Sequence, residues 1–308
     1  MEDNKLKKWI RMYGLKNVIL RGMYSKFSII PVSRNKLLRH MNWQLKVKKR
    51  LKKYIRIRCQ DLELEKRNPY KNTIWFLWFQ GVENAPEIVK KCYEITRQYA
   101  NEIEYQIVVL SEKNMFDYLN IPTNIVKKWE NGIISNANFS DICRVQLLAE
   151  YGGIWMDATV MLTGNINKEI LQSELFFFQA SFLDMSVTKI SNWFMLSKQA
   201  GNAFLLSLKD SLYNYWDRNN CIDDYFIFHL MVAELSETKE LKSYFEKVPY
   251  FSNTYPHLLG RELNNTYDED KYNQILKKSN IHKLTYKNLN KQLKSSFYYK
   301  IIQGNNKR

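Results

Sequence analysis

No transmembrane helix is expected in this 308-residue chain. The longest apolar runs, IWFLWF at 74–79 and ELFFFQA at 174–180, fall far short of the roughly 18 to 20 residues a spanning helix needs. The first twenty residues carry positive charge but have no continuous apolar core and no small-residue cleavage site, so no secretory signal is expected and the expected location is cytoplasmic. There is no C-x-x-C pair. Cys59, Cys92, Cys143 and Cys221 are scattered, which argues against a disulfide or zinc framework and for reduced, mostly buried thiols. Internal repeats are missing, and no nucleic-acid-binding signature accompanies the basic charge.

Acidic residues are nearly missing from one region only. Residues 1–58 hold 18 Lys or Arg against Glu2 and Asp3, whereas the other 250 residues hold 29 basic and 29 acidic side chains. The net charge of +16 therefore belongs to an N-terminal arm attached to a neutral body. Within the arm, Trp43, Val47, Leu51, Tyr54 and Ile55 recur at helical spacing among Lys46, Lys48, Lys49, Arg50, Lys52 and Lys53, and a shorter stripe runs through Leu6, Trp9, Ile10 and Tyr13. Such a helix suits an anionic membrane surface, packing on the body with a solvated charged face, or phosphate contacts on nucleic acid. The expectation is a basic amphipathic helical region over 1–66, peripheral on the inner face of the plasma membrane, with a catalytic domain over 67–308 and no nucleic-acid partner.

From residue 73 the period changes. TIWFLWFQG reads as a buried strand, Pro86 opens a helix to about Tyr99, and YQIVVL at 105–110 is a second strand with Ser111 as a helix cap. Helices are expected over 122–130 and 138–150, the second stopped by Gly152 and Gly153; IWM follows as a strand with Asp157 at its carboxyl end. Strands at LFFFQA and NWFML and helices near 201–217 and 223–235 complete the readable part. Alternating strands and helices imply an α/β layer fold with a mainly parallel sheet, in which ligands bind beyond the carboxyl ends of the strands.

The segment NFSDICRVQLLAEYGGIWMDATVML at 138–162 places Asp141, Arg144 and Asp157 in the most apolar part of the chain. Unpaired buried charges cost several kcal/mol, so they pair with one another or meet a ligand. Asp141 and Arg144 share a helix face, and the strand after Gly153 returns Asp157 toward it. An arginine suits a phosphate or sugar hydroxyl, and a strand-end carboxylate suits a hard divalent cation on a diphosphate, which is nucleotide-sugar chemistry. Spacing alone leaves open an ion pair that merely fixes the helix.

SDICR at 140–144, YGGIW at 151–155 and DATV at 157–160, with IWFLWFQGVENAPEIVKKCYE at 74–94, SNWFM at 191–195 and KLTYK at 283–287, resemble glycosyltransferase family 32, and within it the capsular polysaccharide synthesis branch. The resemblance spans about residues 71–290. It implies a GT-A-like, Rossmann-type domain that moves a sugar, with retention, from a nucleotide diphosphate (UDP by default) to a glycan or lipid-linked acceptor. It casts Asp141 and Arg144 on the donor's ribose or sugar hydroxyls, Trp78 beside the base, Trp155 as a second wall or a core residue, and Asp157 on Mn²⁺ or Mg²⁺.

Thr159 stands where many such transferases carry the second acid of D-x-D. His282 is the preferred distal metal ligand and His257 another; Asp223 reads as a helix-start acid and Asp224 as an acceptor contact or the same. The rivals are a catalytically silent binding or scaffold protein of the same fold and a basic nucleic-acid binder.

Overall fold

The computed structural model describes residues 2–26, 36–63, 70, 72–180 and 187–303. Three helices lead: α1 (Glu2–Tyr13), α2 (Leu15–Lys26) and α3 (Lys36–Leu51). There follow β1 (Thr73–Leu77), α4 (Glu87–Glu102), β2 (Gln106–Leu110), α5 (Thr123–Glu130), α6 (Asn136–Glu150), β3 (Gly153–Asp157), β4 (Val160–Leu162), α7 (Lys168–Gln172), β5 (Leu175–Gln179) and β6 (Ile190–Ser197). The remainder is α8 (Ala203–Arg218), α9 (Ile227–Leu235), α10 (Lys242–Glu246), α11 (Leu258–Glu262), α12 (Glu269–Leu276) and β7 (Ile281–Lys283). The helix expected after Ser111 is absent. Asn114 folds back to accept the Ser111 N–H at 2.8 Å, and only a single tight turn, Met115–Asp117, forms there.

The central sheet runs β2-β1-β3-β6-β5. Its β1–β2 and β1–β3 ladders are parallel and its β3–β6 and β6–β5 ladders antiparallel, so β6 alone opposes the other four strands. Every residue of β1 is buried, as a central strand covered on both faces requires. One face packs Trp75, Leu77 and Trp155 into a core with residues of α6, α8 and α9; Phe76 on the other face joins Ile88, Val89 and Cys92 of α4 and Phe297 and Tyr298. This is a three-layer α/β arrangement.

Gly153 is the tightest point of the frame. Its φ is +92°, and a Cβ added there would lie 2.3 Å from the Thr73 carbonyl oxygen of the neighbouring strand. Only glycine fits both the left-handed backbone and that approach.

The apolar stripe of α3 is part of the body's core. Trp43, Val47, Leu51 and Tyr54 are all buried in the cluster that contains the sheet, and the helix packs on α9. The core therefore continues through the arm. The expected boundary at 66/67 itself lies outside the described residues. On α1 and α2, by contrast, Leu6, Trp9, Leu15 and Ile19 are each about half exposed. Among the described residues, no helix is long and apolar enough to cross a membrane. All four cysteines are free; Cys92 and Cys143 are buried, but Cys221 is only partly so and Cys59 is exposed, so the expectation of mostly buried thiols holds for two of the four.

Candidate active site

At the carboxyl ends of β1 and β3 lies a cavity of about 580 Å³ whose walls include Trp78, Asp141, Arg144, Asp157, Asn192 and Lys283. A larger one, about 730 Å³, opens at the Ile281 end of β7; it is lined by tyrosines, amides and two lysines and holds no carboxylate among the described residues. The smaller cavity carries the clustered charge, and chemistry rather than size decides between them.

Three elements deliver the charges. Ser135 caps α6 by accepting the Asn138 N–H, and one turn later Asp141 and Arg144 project from the same face, 3.4 Å apart. From β3, Asp157 comes within 3.4 Å of the same guanidinium. The expected convergence of Asp141, Arg144 and Asp157 is therefore present in space. Arg144 is held on several sides: it donates to the Asn192 carbonyl at 2.6 Å and to the Ser140 hydroxyl at 3.0 Å, and its guanidinium lies 5.0 Å from the Trp155 ring centroid. Asn192, from SNWFM, also donates its side-chain amide to Asp141 at 2.7 Å.

Burial pushes the Asp141 carboxyl up to about 7, although Arg144 opposes the rise. For Asp157 burial acts in the same sense, but Lys283 and Arg144 together outweigh it and hold the carboxyl below its ordinary value. Burial, with Arg144 nearby, lowers His229 to about 3, and burial also lowers His257, so both imidazoles facing the cavity are neutral at pH 7. The buried Nδ1 of His229 has no hydrogen-bond partner among the described residues.

Trp78 stands in the cavity wall, edge-on to Tyr286 with ring centroids 5.3 Å apart, an aromatic corner open to a flat base. Trp155 is different. Its ring is 1% exposed, and its Nε1–H donates to Asp157 Oδ1 at 2.9 Å, so it aims the carboxylate and underlies Arg144 instead of offering a face to a ligand.

His282 is not brought to Asp157. The β4–β7 ladder pairs Met161 with His282 and Val160 with Lys283, and the alternation of a strand sends the two neighbours to opposite sides. His282 is fully buried, 2.9 Å from the Thr163 hydroxyl, while Lys283 enters the cavity. His257 does reach the cavity, its Nδ1 bonded to the Asn253 carbonyl at 2.6 Å. Asp224 is also fully buried, outside the cavity lining, and accepts the Phe226 N–H. Asp223 ties Asn17, Arg50 and Tyr215 together as a structural acid.

A divalent cation at Asp157 would need a set of oxygen donors. The strand end offers one carboxylate and the Thr159 hydroxyl, and the Lys283 ammonium bridges them at 2.7 and 2.8 Å. Among the described residues no three His, Cys, Asp or Glu side chains gather to hold a metal. This donor set, already filled by a cation, does not fit Mn²⁺ or Mg²⁺.

A family model described as capsular polysaccharide synthesis protein matches residues 26–301, and the chain belongs to that family. No curated protein matches the sequence. Among solved structures, PaToxG glycosyltransferase is similar at 12% identity and a TM-score of 0.37, covering 76% of this chain and 86% of that one.

Proposed function

We propose that this member of the capsular polysaccharide synthesis family is a glycosyltransferase with a GT-A-like domain, moving a sugar from a nucleotide diphosphate, UDP by default, to a glycan or lipid-linked acceptor. One observation carries the reading. Asp141, Arg144 and Asp157 converge within 3.4 Å contacts in a cavity at the carboxyl edge of the parallel strands, beside the Trp78–Tyr286 corner. That is where an open α/β sheet binds nucleotides, and with Nε and Nη2 engaged by Ser140 and the two carboxylates and one Nη1–H by Asn192, the guanidinium has its second Nη1–H left for a hydroxyl or phosphate oxygen. The sequence resemblance to family 32 supports the same reading.

In the transfer, the bond between the anomeric carbon and the diphosphate oxygen breaks with its electron pair left on the diphosphate. The acceptor hydroxyl oxygen bonds to that carbon, and its proton passes to the departing phosphate oxygen. Among the described residues, Asp141 and Asp157 are the only carboxylates lining the cavity, and both are engaged by cations or amides. Retention, which the resemblance to family 32 implies, has the leaving phosphate take the acceptor's proton on the same face.

Incubation with a panel of nucleotide diphosphate sugars, with and without glycan acceptors, tests the reading. The wild type is expected to release diphosphate from at least one donor, and Arg144→Met is expected to abolish release. A folded wild type that neither turns over nor is thermally stabilised by any donor would overturn it.

We further place the arm at an anionic membrane surface. The exposed Leu6, Trp9, Leu15 and Ile19 beside Lys7, Lys8 and Lys16 support this, whereas the apolar stripe of α3 is committed to the core. Co-flotation with phosphatidylserine vesicles but not with phosphatidylcholine vesicles is the expected result.

A further inference from the structure

Lys283 opens the KLTYK motif, and its position in the fold gives it a role that the motif alone does not suggest. Its Nζ lies 2.7 Å from Asp157 Oδ2 and 2.8 Å from Thr159 Oγ1, between the first and third residues of the strand-end D-x-T. That is the place a cation shared by two such side chains would take. The ammonium is held there by the fold. β7 is pinned to β4 by register, the Leu284 N–H donates to the Thr159 carbonyl at 2.9 Å, and a Cβ added at Gly260 would meet the Lys283 carbonyl oxygen at 2.5 Å.

Charge and hydrogen bonding agree. Asp157 is faced by two cations, Lys283 and Arg144, so a divalent ion added beside it would meet two like charges at close range in a largely desolvated site. An ammonium has three donors, and two of those on Lys283 are used. The third is available to the cavity, which Lys283 lines. The missing second acid also has a physical reason. An aspartate at 159 would give two carboxylates a metal to hold, whereas the threonine hydroxyl simply accepts from a lysine.

We propose that Lys283 is the cation of this site: its ammonium, positioned by Asp157 and Thr159, binds the donor diphosphate and stabilises the electron pair left on it as the anomeric carbon–oxygen bond breaks, without a divalent metal. The inference rests on the transferase reading above and adds a residue and a metal independence to it. The ligand class is a nucleoside diphosphate or its sugar ester, gripped from one side by Lys283 and from the other by Arg144. An ammonium cannot be stripped by a chelator, so the site keeps its cation in every ionic condition.

Isothermal titration of the full chain with UDP and with inorganic pyrophosphate, each in EDTA and in excess Mn²⁺, tests this. The wild type is expected to bind at least one probe with the same affinity in both buffers. Lys283→Ala and the gentler Lys283→Gln, each checked for folding by circular dichroism, are expected to weaken binding in EDTA by about tenfold or more. Thr159→Asp combined with Lys283→Ala is expected to recover binding only in Mn²⁺. Wild-type binding that appears only with Mn²⁺ overturns the role of Lys283 and leaves the transferase reading standing, an outcome that does not depend on any variant folding. Equal binding by wild type and both Lys283 variants in EDTA also overturns it. No binding of either probe in either buffer overturns this proposal, while the transferase reading falls only if the donor panel above also gives neither turnover nor stabilisation.

Discussion

Lysine and arginine serve two regions of this molecule on opposite terms. At the seam between the arm and the body, Lys48 and Arg50 of α3 meet Glu237 and Asp223, and Lys52 just past the helix meets Glu234; one member of each pair, Glu237, Arg50 or Lys52, keeps a third or more of its exposure. At the strand edge Arg144 and Lys283 share Asp157, Arg144 is also held by Asp141, and the guanidinium is 5% exposed. The first arrangement adds little free energy through its exposed members, whose charges stay hydrated. The second loses more if a partner is removed, because the survivors are left charged and desolvated. Net charge, which lies wholly in the arm, is therefore a poor guide to where charge does chemistry.

The sharpest way to break the comparison is to disturb the frame that presents the buried cluster. Gly153→Ala combines a left-handed backbone with a 2.3 Å approach to the Thr73 carbonyl, so it is expected to cost more than about 4 kcal/mol and to leave the chain largely insoluble. Chemical denaturation, or the soluble fraction on expression, reads this out. An alanine that folds with native stability would mean that the β1–β3 ladder is looser than described.

Next comes Arg144→Met. Removing the guanidinium leaves Asp141 and Asp157 facing one another with Lys283 as their one neighbouring cation among the described contacts, and a loss of about 3–5 kcal/mol is expected, measured by urea unfolding. If this loss were no larger than that of a surface lysine, the contrast between the two regions would vanish.

Asp141→Asn sharpens the electrostatic side of the contrast through pH. The wild-type carboxyl is raised from its ordinary value of 3.8 to about 7, so the folded state holds a proton that the unfolded state has released across that interval. Wild-type stability should therefore be sapped as pH rises from about 4 and level off above about 7, while the amide has no proton to lose. The melting temperature of Asp141→Asn minus that of wild type should grow by several degrees across this window, on the order of 2–4 °C per kcal/mol. A difference that stays flat with pH would show that Arg144 keeps Asp141 ionised throughout.

The two regions also differ in how far the sequence discloses them. The strands at 73–77, 106–110 and 153–157 and the helices at 87–102, 123–130 and 136–150 lie within a few residues of expectation, because continuous apolar runs, Pro86 and the Gly152–Gly153 pair are local signals. The convergence of Asp141, Arg144 and Asp157 is legible for the same reason, since one helix, one turn and one strand connect them. Lys283 and Asn192 are not. Each arrives from a distant strand whose register decides which residue faces the site, and a one-residue difference exchanges His282 for Lys283. The placement of α3 is open for a related reason: an amphipathic stripe looks the same whether lipid or α9 covers it.

The smallest expected effect closes the comparison from the other side. Lys52→Ala removes an ion pair 3.3 Å long whose lysine is 66% exposed and whose partner, Glu234, is only 10% exposed. The loss should stay below about 1 kcal/mol, because the exposed ammonium gives up hydration and side-chain entropy for a screened attraction. Raising the salt concentration should shrink even that difference, since the pair lies at the solvent boundary. Arg144→Met, whose partners are screened far less, should keep most of its cost in the same salt titration of unfolding free energies. Identical salt dependence for the two variants would mean that the strand-edge cluster is as wet as the arm, and that its arginine and lysine carry no more force toward a ligand than Lys52 does.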